Sequence, residues 1–279
     1  MGSPDTHDRY LDLLKRTLSF TLWPEPPVPL ARLNFRRPAW KRTVVRWLDR
    51  LLARRRLRLM HDWSHTPAER REGLTWPTDY ADTMIGLVRL DNVQTCIETV
   101  LREGVPGDLL EAGVWRGGAC ILMRAVLAVH GVTDRRVFVA DSFAGLPPPD
   151  ESSYPADRGD RHHTFEFLAV SAEEVAANFK KYGLLDAQVV FLPGWFKDTL
   201  PAAPIERLAV LRLDGDMYSS TMETLTALYP KLSPGGFCII DDYGAVPGCR
   251  QAVEDYRHQH GLTETLVTID WGGRFWRKA

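Results

Sequence analysis

Residues 108–131 read DLLEAGVWRGGACILMRAVLAVHG, which is a short apolar run, a glycine-rich loop and a longer apolar run. The first run predicts a β-strand, and the last predicts the helix that follows it. Glycines between a strand and a helix permit a tight turn and a close approach of the backbone to a ligand. The spacing of Gly113, Gly117 and Gly118 departs from GxGxxG, and no GK[ST] is present, so the loop favours neither a dinucleotide site nor a P-loop.

Further short apolar runs alternate with helix-like segments along the rest of the chain. The strand-like runs are 136–142, 188–194, 208–214 and 236–242, and the helix-like segments are 171–184 and 221–232. Such alternation predicts a mainly parallel sheet with helices on both faces, and ligands bind such sheets at the carboxyl ends of the strands. The tail differs, because two strand-like pieces joined through Gly272-Gly273 predict a hairpin, and so an antiparallel strand at the end of the sheet.

The first quarter of the chain has a different character. It begins with a helix-like segment, and the proline cluster that follows predicts an extended connector. Between Arg32 and Arg58 lie ten arginines and one lysine against a single acid, Asp49, with apolar residues near helical spacing. We therefore divide the chain into a helical, arginine-rich N-terminal extension, residues 1–75, and a second domain, residues 76–279.

A basic amphipathic helix within the extension allows two interpretations. It could lie on an anionic membrane or bind RNA. Alternatively, its apolar side packs on the main domain or on a second subunit, as a lid or an oligomer contact. The chain of 279 residues has a formal net charge of −1 and a pI near 6.7, which offers no global argument for nucleic acid. We therefore favour the packing interpretation, and expect a homo-oligomer such as a dimer and no nucleic-acid partner.

The cysteines and the hydropathy bear on location. The four cysteines lie far apart without CxxC spacing, which argues against a zinc site or a disulfide framework and fits a reducing cytoplasm. No apolar run reaches the roughly 18 residues that a membrane span requires. We therefore expect a cytoplasmic protein without a membrane span.

Carboxylates end two of the strand-like runs. Asp214 ends one, and Asp241 and Asp242 end the next. Neighbouring strand ends of a parallel sheet lie close together, and converging carboxylates repel one another unless a hard cation neutralises them. Because Mg²⁺ prefers oxygen ligands, these three aspartates predict a magnesium site. We expect Asp216 to point away in a structural role, and residues 220–223 to form a capping box for the next helix.

Five motifs resemble, in this order, those of the macrocin O-methyltransferase family: DLLEAGVWRGGACI, VADSFAGLP, LPGWFKDTLP, LRLDGDMYSST and IIDDY. The resemblance covers about residues 76–279, with TWPTDYADTMIGLVRLDN at its front. Members of the family methylate sugar hydroxyls of bacterial secondary metabolites with S-adenosylmethionine and Mg²⁺. The resemblance implies a Rossmann-like α/β class I methyltransferase fold, with a mainly parallel seven-stranded sheet and a C-terminal antiparallel hairpin strand.

The resemblance also implies which residues form the site. The loop from Gly113 to Gly118 would surround the methionine part of the cofactor, and Asp141 would hold its ribose. The residues expected around S-adenosylmethionine are Thr83, Met84, Glu111, Gly113, Trp115, Gly117, Gly118, Asp141, Ser142, Gly194 and Trp195. The three aspartates that end the strands match the family's metal positions.

Methyl transfer to a sugar hydroxyl requires the removal of a proton from a poor nucleophile. A metal stabilises the developing alkoxide, and a nearby base adds typically about 10²–10⁴-fold in rate. We expect Asp214 to be both a metal ligand and the proton acceptor. Related catechol-type enzymes often carry a lysine shortly after this aspartate, whereas Asp216-Met217 occupies that stretch here. The loop after the second strand holds His162 and His163, which are candidates for a lid over the acceptor or for a base.

The leading prediction is a Mg²⁺-dependent O-methyltransferase that acts on a glycosylated antibiotic, with the deoxysugar of an aminocoumarin favoured over that of a macrolide. A catechol or phenol O-methyltransferase of secondary metabolism uses the same metal chemistry and is an alternative. A third class is an RNA- or membrane-binding protein that acts through the arginine-rich helix, whose binding would fall steeply with salt. Comparing activity on phenolic and glycosidic hydroxyls separates the first two.

Overall fold

The N-terminal extension folds into helices and a small antiparallel ribbon. A computed structural model describes residues 5–30, 38–61, 65–76 and 79–279. The elements of the extension are α1 (Thr6–Leu18), β1 (Val28–Pro29), α2 (Ala39–Ala53), β2 (Met60–His61) and α3 (Pro67–Arg71), and β1 pairs with β2. The predicted first helix and the predicted basic helix are both confirmed. Part of the arginine-rich stretch, residues 31–37, lies outside the described residues.

The basic helix α2 leaves most of its apolar side uncovered within the described chain. Trp40 and Trp47 are 66% and 62% exposed, and Val44 and Leu51 are exposed as well. Among the described side chains of α2, only Val45 is buried. The prediction that this side packs on the main domain is therefore wrong for these four exposed residues, and packing on a second subunit stays a prediction.

The rest of the chain is built on a seven-stranded sheet. Its strands are β3 (Asp108–Ala112), β4 (Val137–Asp141), β5 (Val189–Pro193), β6 (Leu208–Leu213), β7 (Leu232–Ile240), β8 (Val267–Thr268) and β9 (Arg274–Arg277). They lie in the order β5-β4-β3-β6-β7-β9-β8, with β3 to β7 parallel and β9 antiparallel to both of its neighbours. The predicted seven-stranded sheet and its C-terminal hairpin are confirmed, although β9 lies between β7 and the short edge strand β8 instead of at the edge.

Helices cover both faces of this sheet. They are α4 (Leu87–Arg102), α5 (Gly118–Val129), α6 (Ala172–Lys181), α7 (Phe196–Thr199), α8 (Tyr218–Leu228) and α9 (Pro247–Gln259). Successive strand residues point to opposite faces, so Leu109 joins an apolar cluster with α1, α4, α5 and α6, whereas Leu110 joins one with α8 and α9. No helix within the described ranges is long and apolar enough to cross a membrane.

The winding of the sheet reverses at β3. The next strand along the chain, β4, pairs on one side of β3, and β6 pairs on the other. Open parallel sheets bind ligands at the carboxyl ends of the strands that flank such a switch point. The fold therefore brings the glycine loop after β3, Asp141 at the end of β4 and Asp214 after β6 to one edge of the sheet.

Candidate active site

A cavity of about 740 Å³ opens at this edge of the sheet. Its volume is in the range of small-molecule and cofactor sites. The predicted site residues that line it are Thr83, Met84, Glu111, Gly113, Trp115, Asp141, Ser142, His162, Gly194, Trp195, Asp214, Asp241 and Asp242. Three predicted residues, Gly117, Gly118 and His163, are not part of its wall.

The glycine loop is in close contact with the end of β6. Gly113 has a φ of 88°, and a Cβ there would overlap the carbonyl oxygen of Asp214. The Asp214 amide in turn donates to the carbonyl of Ala112, at 2.8 Å. Gly117 has a φ of 84°, and a Cβ at Gly118 would overlap the carbonyl oxygen of Asp82. These two glycines therefore allow close packing around the start of α5, while Gly113 faces the cavity.

The acid at the end of β4 is held by the backbone of the glycine loop and by the backbone just after β4. Asp141 accepts hydrogen bonds from the amides of Val114 and Phe143, each at 2.8 Å. Burial raises the pKa of the Asp141 carboxyl, and these amide bonds oppose that rise. The Gly194 amide donates to the Asp141 carbonyl at 2.9 Å, which fixes the end of β5 beside it. Ser142 donates its hydroxyl to the Gly145 carbonyl at 2.6 Å.

The segment before α4 is anchored by a residue that sequence reasoning missed. Thr83 and Met84 line the cavity as predicted. The neighbouring Asp82 is buried, and its carboxylate accepts hydrogen bonds from Lys181 and Tyr182 at the end of α6, both at 2.5 Å. Asp82 therefore fixes the part of the wall that Thr83 and Met84 form.

The three predicted metal ligands converge. One carboxylate oxygen from each of Asp214, Asp241 and Asp242 lies within 4.8 Å of the others. Asp241 and Asp242 are buried, whereas the Asp214 side chain is 29% exposed. The predicted convergence of these side chains from the tips of β6 and β7 is therefore observed.

Two buried arginines, which sequence reasoning also missed, hold this cluster in place. Arg212 donates to Glu111, to Asp214 at 2.9 Å and to Asp241. Arg89 donates to Asp241 at 2.5 Å and to Asp270 at 2.8 Å. The lone arginine within the apolar strand LAVLRL could have predicted a buried ion pair from the sequence, because arginine is almost never fully buried without a partner. Glu111, predicted to contact the cofactor, lines the cavity but bonds to Arg212 and accepts from the Cys120 thiol.

The cluster carries excess negative charge. Four carboxylates, Glu111, Asp214, Asp241 and Asp270, face the two guanidinium groups, and two more, Asp216 and Asp242, lie near these aspartates. Partial burial and the nearby Asp241 raise the pKa of Asp214 well above its ordinary value. Burial and the nearby Asp216 do the same for the pKa of Asp242. An all-oxygen donor set with surplus negative charge fits a hard divalent cation.

Asp216 does not point away from the site. It lines the cavity, and its Oδ1 lies 4.0 Å from His162 Nε2. His162 Nδ1 lies 2.7 Å from the Asp160 carboxylate, which orients the ring. Asp216 also has a φ of 57°, a strained value for a residue with a side chain. The prediction that Asp216 turns away is therefore wrong, and of the two lid histidines only His162 reaches the cavity.

The predicted capping box at residues 220–223 is also wrong. Helix α8 begins at Tyr218, so Ser220 lies inside it. Asp157, from the loop after β4, accepts hydrogen bonds from the amides of Tyr218 and Ser219, at 2.7 and 3.0 Å. A negative charge at a helix N-terminus satisfies free amides and interacts favourably with the helix dipole. The loop that carries His162 is thereby fastened beside Asp214 and Asp216.

The strand order, and the cavity at the carboxyl ends of the strands, are those of the class I methyltransferase fold. Over residues 7–278 the chain matches the model of the family described as Macrocin-O-methyltransferase (TylF). The chain belongs to this family, and the protein is an O-methyltransferase. The match takes in most of the N-terminal extension, so the likeness extends well beyond residues 76–279.

Three relatives are similar over most of the chain. The chain is 50% identical to the 8-demethyl-8-(2,3-dimethoxy-alpha-L-rhamnosyl)-tetracenomycin-C 4'-O-methyltransferase of Streptomyces olivaceus, covering 98% of this chain and 94% of that one. It is 55% identical to the demethyldecarbamoylnovobiocin O-methyltransferase of Streptomyces niveus, covering 78% and 83%. It is 54% identical to the mycinamicin III 3''-O-methyltransferase of Micromonospora griseorubida, covering 75% and 83%.

Solved structures show the same fold. The structure of the O-methyltransferase NovP superposes with a TM-score of 0.83 at 46% identity, covering 98% of this chain and 99% of that one. The calicheamicin methyltransferase CalS11 superposes with a TM-score of 0.55 at 20% identity, covering 88% and 95%. The predicted fold class and the predicted enzyme class are therefore confirmed.

Proposed function

We propose that the protein transfers a methyl group from S-adenosylmethionine to a sugar hydroxyl of a glycosylated antibiotic, with Mg²⁺ held at the aspartate cluster. The observation that carries this proposal is that one cavity joins the glycine loop and Asp141 to Asp214, Asp241 and Asp242. A methyl donor held at the glycine loop and an acceptor hydroxyl placed beside the aspartates could therefore meet there. The rhamnosyl group in the name of the S. olivaceus relative supports a deoxysugar acceptor.

The residues on the β3–β5 side of the cavity fit the cofactor. S-adenosylmethionine supplies a methyl group on a positively charged sulfur. Asp141 is held by the amides of Val114 in the glycine loop and of Phe143 after β4, and it is suited to accept the ribose hydroxyls. Gly113 lines the cavity and packs directly on the Asp214 carbonyl, so the methionine part would meet the backbone of the loop there. Ser142 and Trp195 would lie near the ribose and adenine.

The residues on the β6–β7 side would hold the metal and take the proton. Mg²⁺ at Asp214, Asp241 and Asp242 would supply positive charge that stabilises a developing alkoxide. Asp214 remains our proposed proton acceptor. Asp216 is a second candidate, because it lines the cavity and, within the described part of the chain, is not bonded to Arg212 as Asp214 is. His162 would orient the acceptor or Asp216.

A phenolic acceptor is the alternative within the same chemistry. No lysine that could act as a base follows shortly after Asp214. A phenol needs such a base less than a sugar hydroxyl does, because a phenol (pKa near 10 for tyrosine) loses its proton more readily. Turnover of catechol without turnover of any glycoside would favour that alternative. Comparable assays on one glycoside and on catechol therefore decide the acceptor class.

Isothermal titration tests the two ligand sites separately. We expect S-adenosylmethionine to bind wild type and Asp241→Ala, with Mg²⁺ or with EDTA, because Asp141 and Gly194 lie at the tips of β4 and β5, on the opposite side of β3 from the strands that carry the metal ligands. We expect a Mg²⁺ isotherm for wild type and none for Asp241→Ala. The exposed Asp12 of α1 offers a matched control, since Asp12→Ala should keep both isotherms. Absence of cofactor binding in every condition would contradict the methyltransferase site proposed here.

The exposed side of α2 supports a homo-oligomer, with the extension as its contact. Trp40, Val44, Trp47 and Leu51 recur at helical spacing and are exposed. The extension is strongly basic in a chain of net charge −1, so the rest of a second copy carries the complementary charge. We expect wild type to show at least a dimeric mass in light scattering and Trp47→Glu to shift it to the monomer. A monomeric wild type at micromolar concentration would contradict this proposal.

A cytoplasmic location is also proposed, with no nucleic-acid partner. All four cysteines are free and buried, as suits a reducing compartment. Burial also raises the pKa of the Cys238 thiol well above its ordinary value, which keeps it protonated and unreactive. Fractionation of cells that express the protein checks the location.

A further inference from the structure

One exposed aromatic residue of the cavity wall is not explained by the proposed cofactor and metal sites. Trp271 lies in the turn between β8 and β9, lines the cavity, and is 47% exposed. Large apolar side chains on a cavity wall commonly contact a ligand there. Trp271 therefore offers an uncovered ring surface inside the site.

Several contacts hold this indole in place. Its Nε1 donates to the Glu72 carbonyl at 3.1 Å. The Arg89 guanidinium lies over the ring, 5.1 Å from its centroid. The turn is closely packed, because a Cβ at Gly244 would overlap the Trp271 carbonyl oxygen, and the Gly244 amide donates to the Gly272 carbonyl at 2.7 Å. An indole that is exposed yet fixed loses little conformational entropy when a ligand binds.

The sheet order decides which ligand this ring can meet. The tips of β4 and β5, with Asp141 and Gly194, lie on one side of β3, whereas β6, β7, β9 and β8 follow on the other. The Trp271 turn thus lies beyond the aspartate cluster, on the side away from the proposed ribose site. Asp270, next to Trp271, bonds to Arg89, and Arg89 bonds to Asp241. The indole is therefore tied, through two side chains, to a proposed metal ligand.

We propose that Trp271 is the platform on which the sugar ring of the acceptor stacks. This inference rests on the proposed function, because the reacting hydroxyl must reach the aspartate cluster. One face of a pyranose presents C–H groups, which are attracted to the negative face of an aromatic ring and bury apolar surface against it. The hydroxyls project from the edge of the stacked ring, so one of them can point at Asp214 while the ring lies on Trp271.

The other exposed aromatic pair of the cavity lies nearer the cofactor side. Phe165 and Phe167 are stacked on each other, with ring centroids 5.8 Å apart. The Phe167 carbonyl accepts a hydrogen bond from Trp115 of the glycine loop at 2.8 Å. Phe165 also packs edge-on against His162, with ring centroids 5.8 Å apart. The link from Phe167 to the glycine loop distinguishes this pair from Trp271, whose links run through Arg89 to Asp241.

The test uses methyl α-L-rhamnopyranoside, which has no aromatic group and can stack only through its sugar ring. We expect Trp271→Ala to raise KM for this glycoside about tenfold or more, as truncation of a buried aromatic anchor commonly does. We expect Trp271→Phe to recover part of the loss, and both variants to keep the wild-type isotherms for S-adenosylmethionine and Mg²⁺. Trp23→Ala is the matched control, because Trp23 is 43% exposed and lies in the extension outside the cavity wall.

A binding measurement keeps the inference independent of turnover. Saturation-transfer NMR should show transfer from wild type and Trp23→Ala to the ring protons of the glycoside, and much weaker transfer from Trp271→Ala. Unchanged KM and unchanged saturation transfer in both Trp271 variants would contradict the proposal that the sugar ring stacks on Trp271. Wild type that methylates catechol and neither binds nor methylates the glycoside would instead overturn the proposed function, and the platform with it.

Discussion

The Asp214→Asn variant should lose turnover by about 10³-fold, within the range that removal of a positioned base costs. It should also bind Mg²⁺ more weakly, because one of the three converging carboxylates becomes a neutral amide. The amide oxygen can still accept the hydrogen bond from Arg212, so the fold and the cofactor isotherm should be preserved. The measurements are kcat at saturating substrates and titration of Mg²⁺ and S-adenosylmethionine.

Asp216→Asn is the variant that separates the two roles given to Asp214. It changes a carboxylate that lines the same cavity but is not one of the proposed ligands, so the Mg²⁺ isotherm should stay close to wild type. A loss of about 10²–10⁴-fold in kcat with an intact isotherm would move the proton acceptor to Asp216. Near-normal turnover by a folded Asp214→Asn protein would remove Asp214 from the mechanism.

The largest effect on stability is expected at Arg212. Arg212→Met removes a guanidinium whose side chain is 1% exposed and that bonds to Glu111, Asp214 and Asp241. Breaking a buried ion pair from one side costs about 3–5 kcal/mol, because the partner charge remains buried and uncompensated. We therefore expect the free energy of unfolding, measured by urea titration, to fall by about that amount.

Two further variants control this prediction. Arg207→Met changes an exposed arginine just before β6 and should alter the free energy of unfolding by less than about 0.5 kcal/mol. Glu111→Gln combined with Arg212→Met removes one of the stranded charges and should recover part of the lost stability. If the free energy of unfolding of Arg212→Met is no lower than that of Arg207→Met, the ion pairs of Arg212 do not stabilise the fold.

Local sequence patterns were sufficient for the sheet and for the convergence of the three aspartates. The strands from 108 to 240 are short apolar runs with polar ends, and the rule that parallel strand tips share an edge brought Asp214 next to Asp241 and Asp242. The glycine loop was visible for the same reason, since a tight strand–helix turn has a local signature. These features depend on neighbours in sequence, or on a topology that alternation alone implies.

The features that sequence reasoning missed depend on pairing between distant segments. Asp157 caps a helix that begins 61 residues later, and Arg89 bonds to Asp241, 152 residues away. Asp216 was misplaced because its orientation depends on a left-handed backbone conformation and on the loop that brings His162 opposite it. No spacing rule predicts such contacts, because they arise only once the tertiary fold has formed. Arg212 is an exception among the missed residues, because the sequence itself places this arginine inside the apolar strand LAVLRL.

The fit between the glycine loop and the end of β6 also constrains what mutation can do to this gene. Every single-nucleotide change of a glycine codon that alters the amino acid adds a Cβ or stops translation. At position 113 that atom would overlap the Asp214 carbonyl oxygen, at a φ of 88° that other residues rarely adopt. Only synonymous changes of codon 113 therefore leave this contact intact, and we expect any amino-acid replacement there to act first on folding and only then on catalysis.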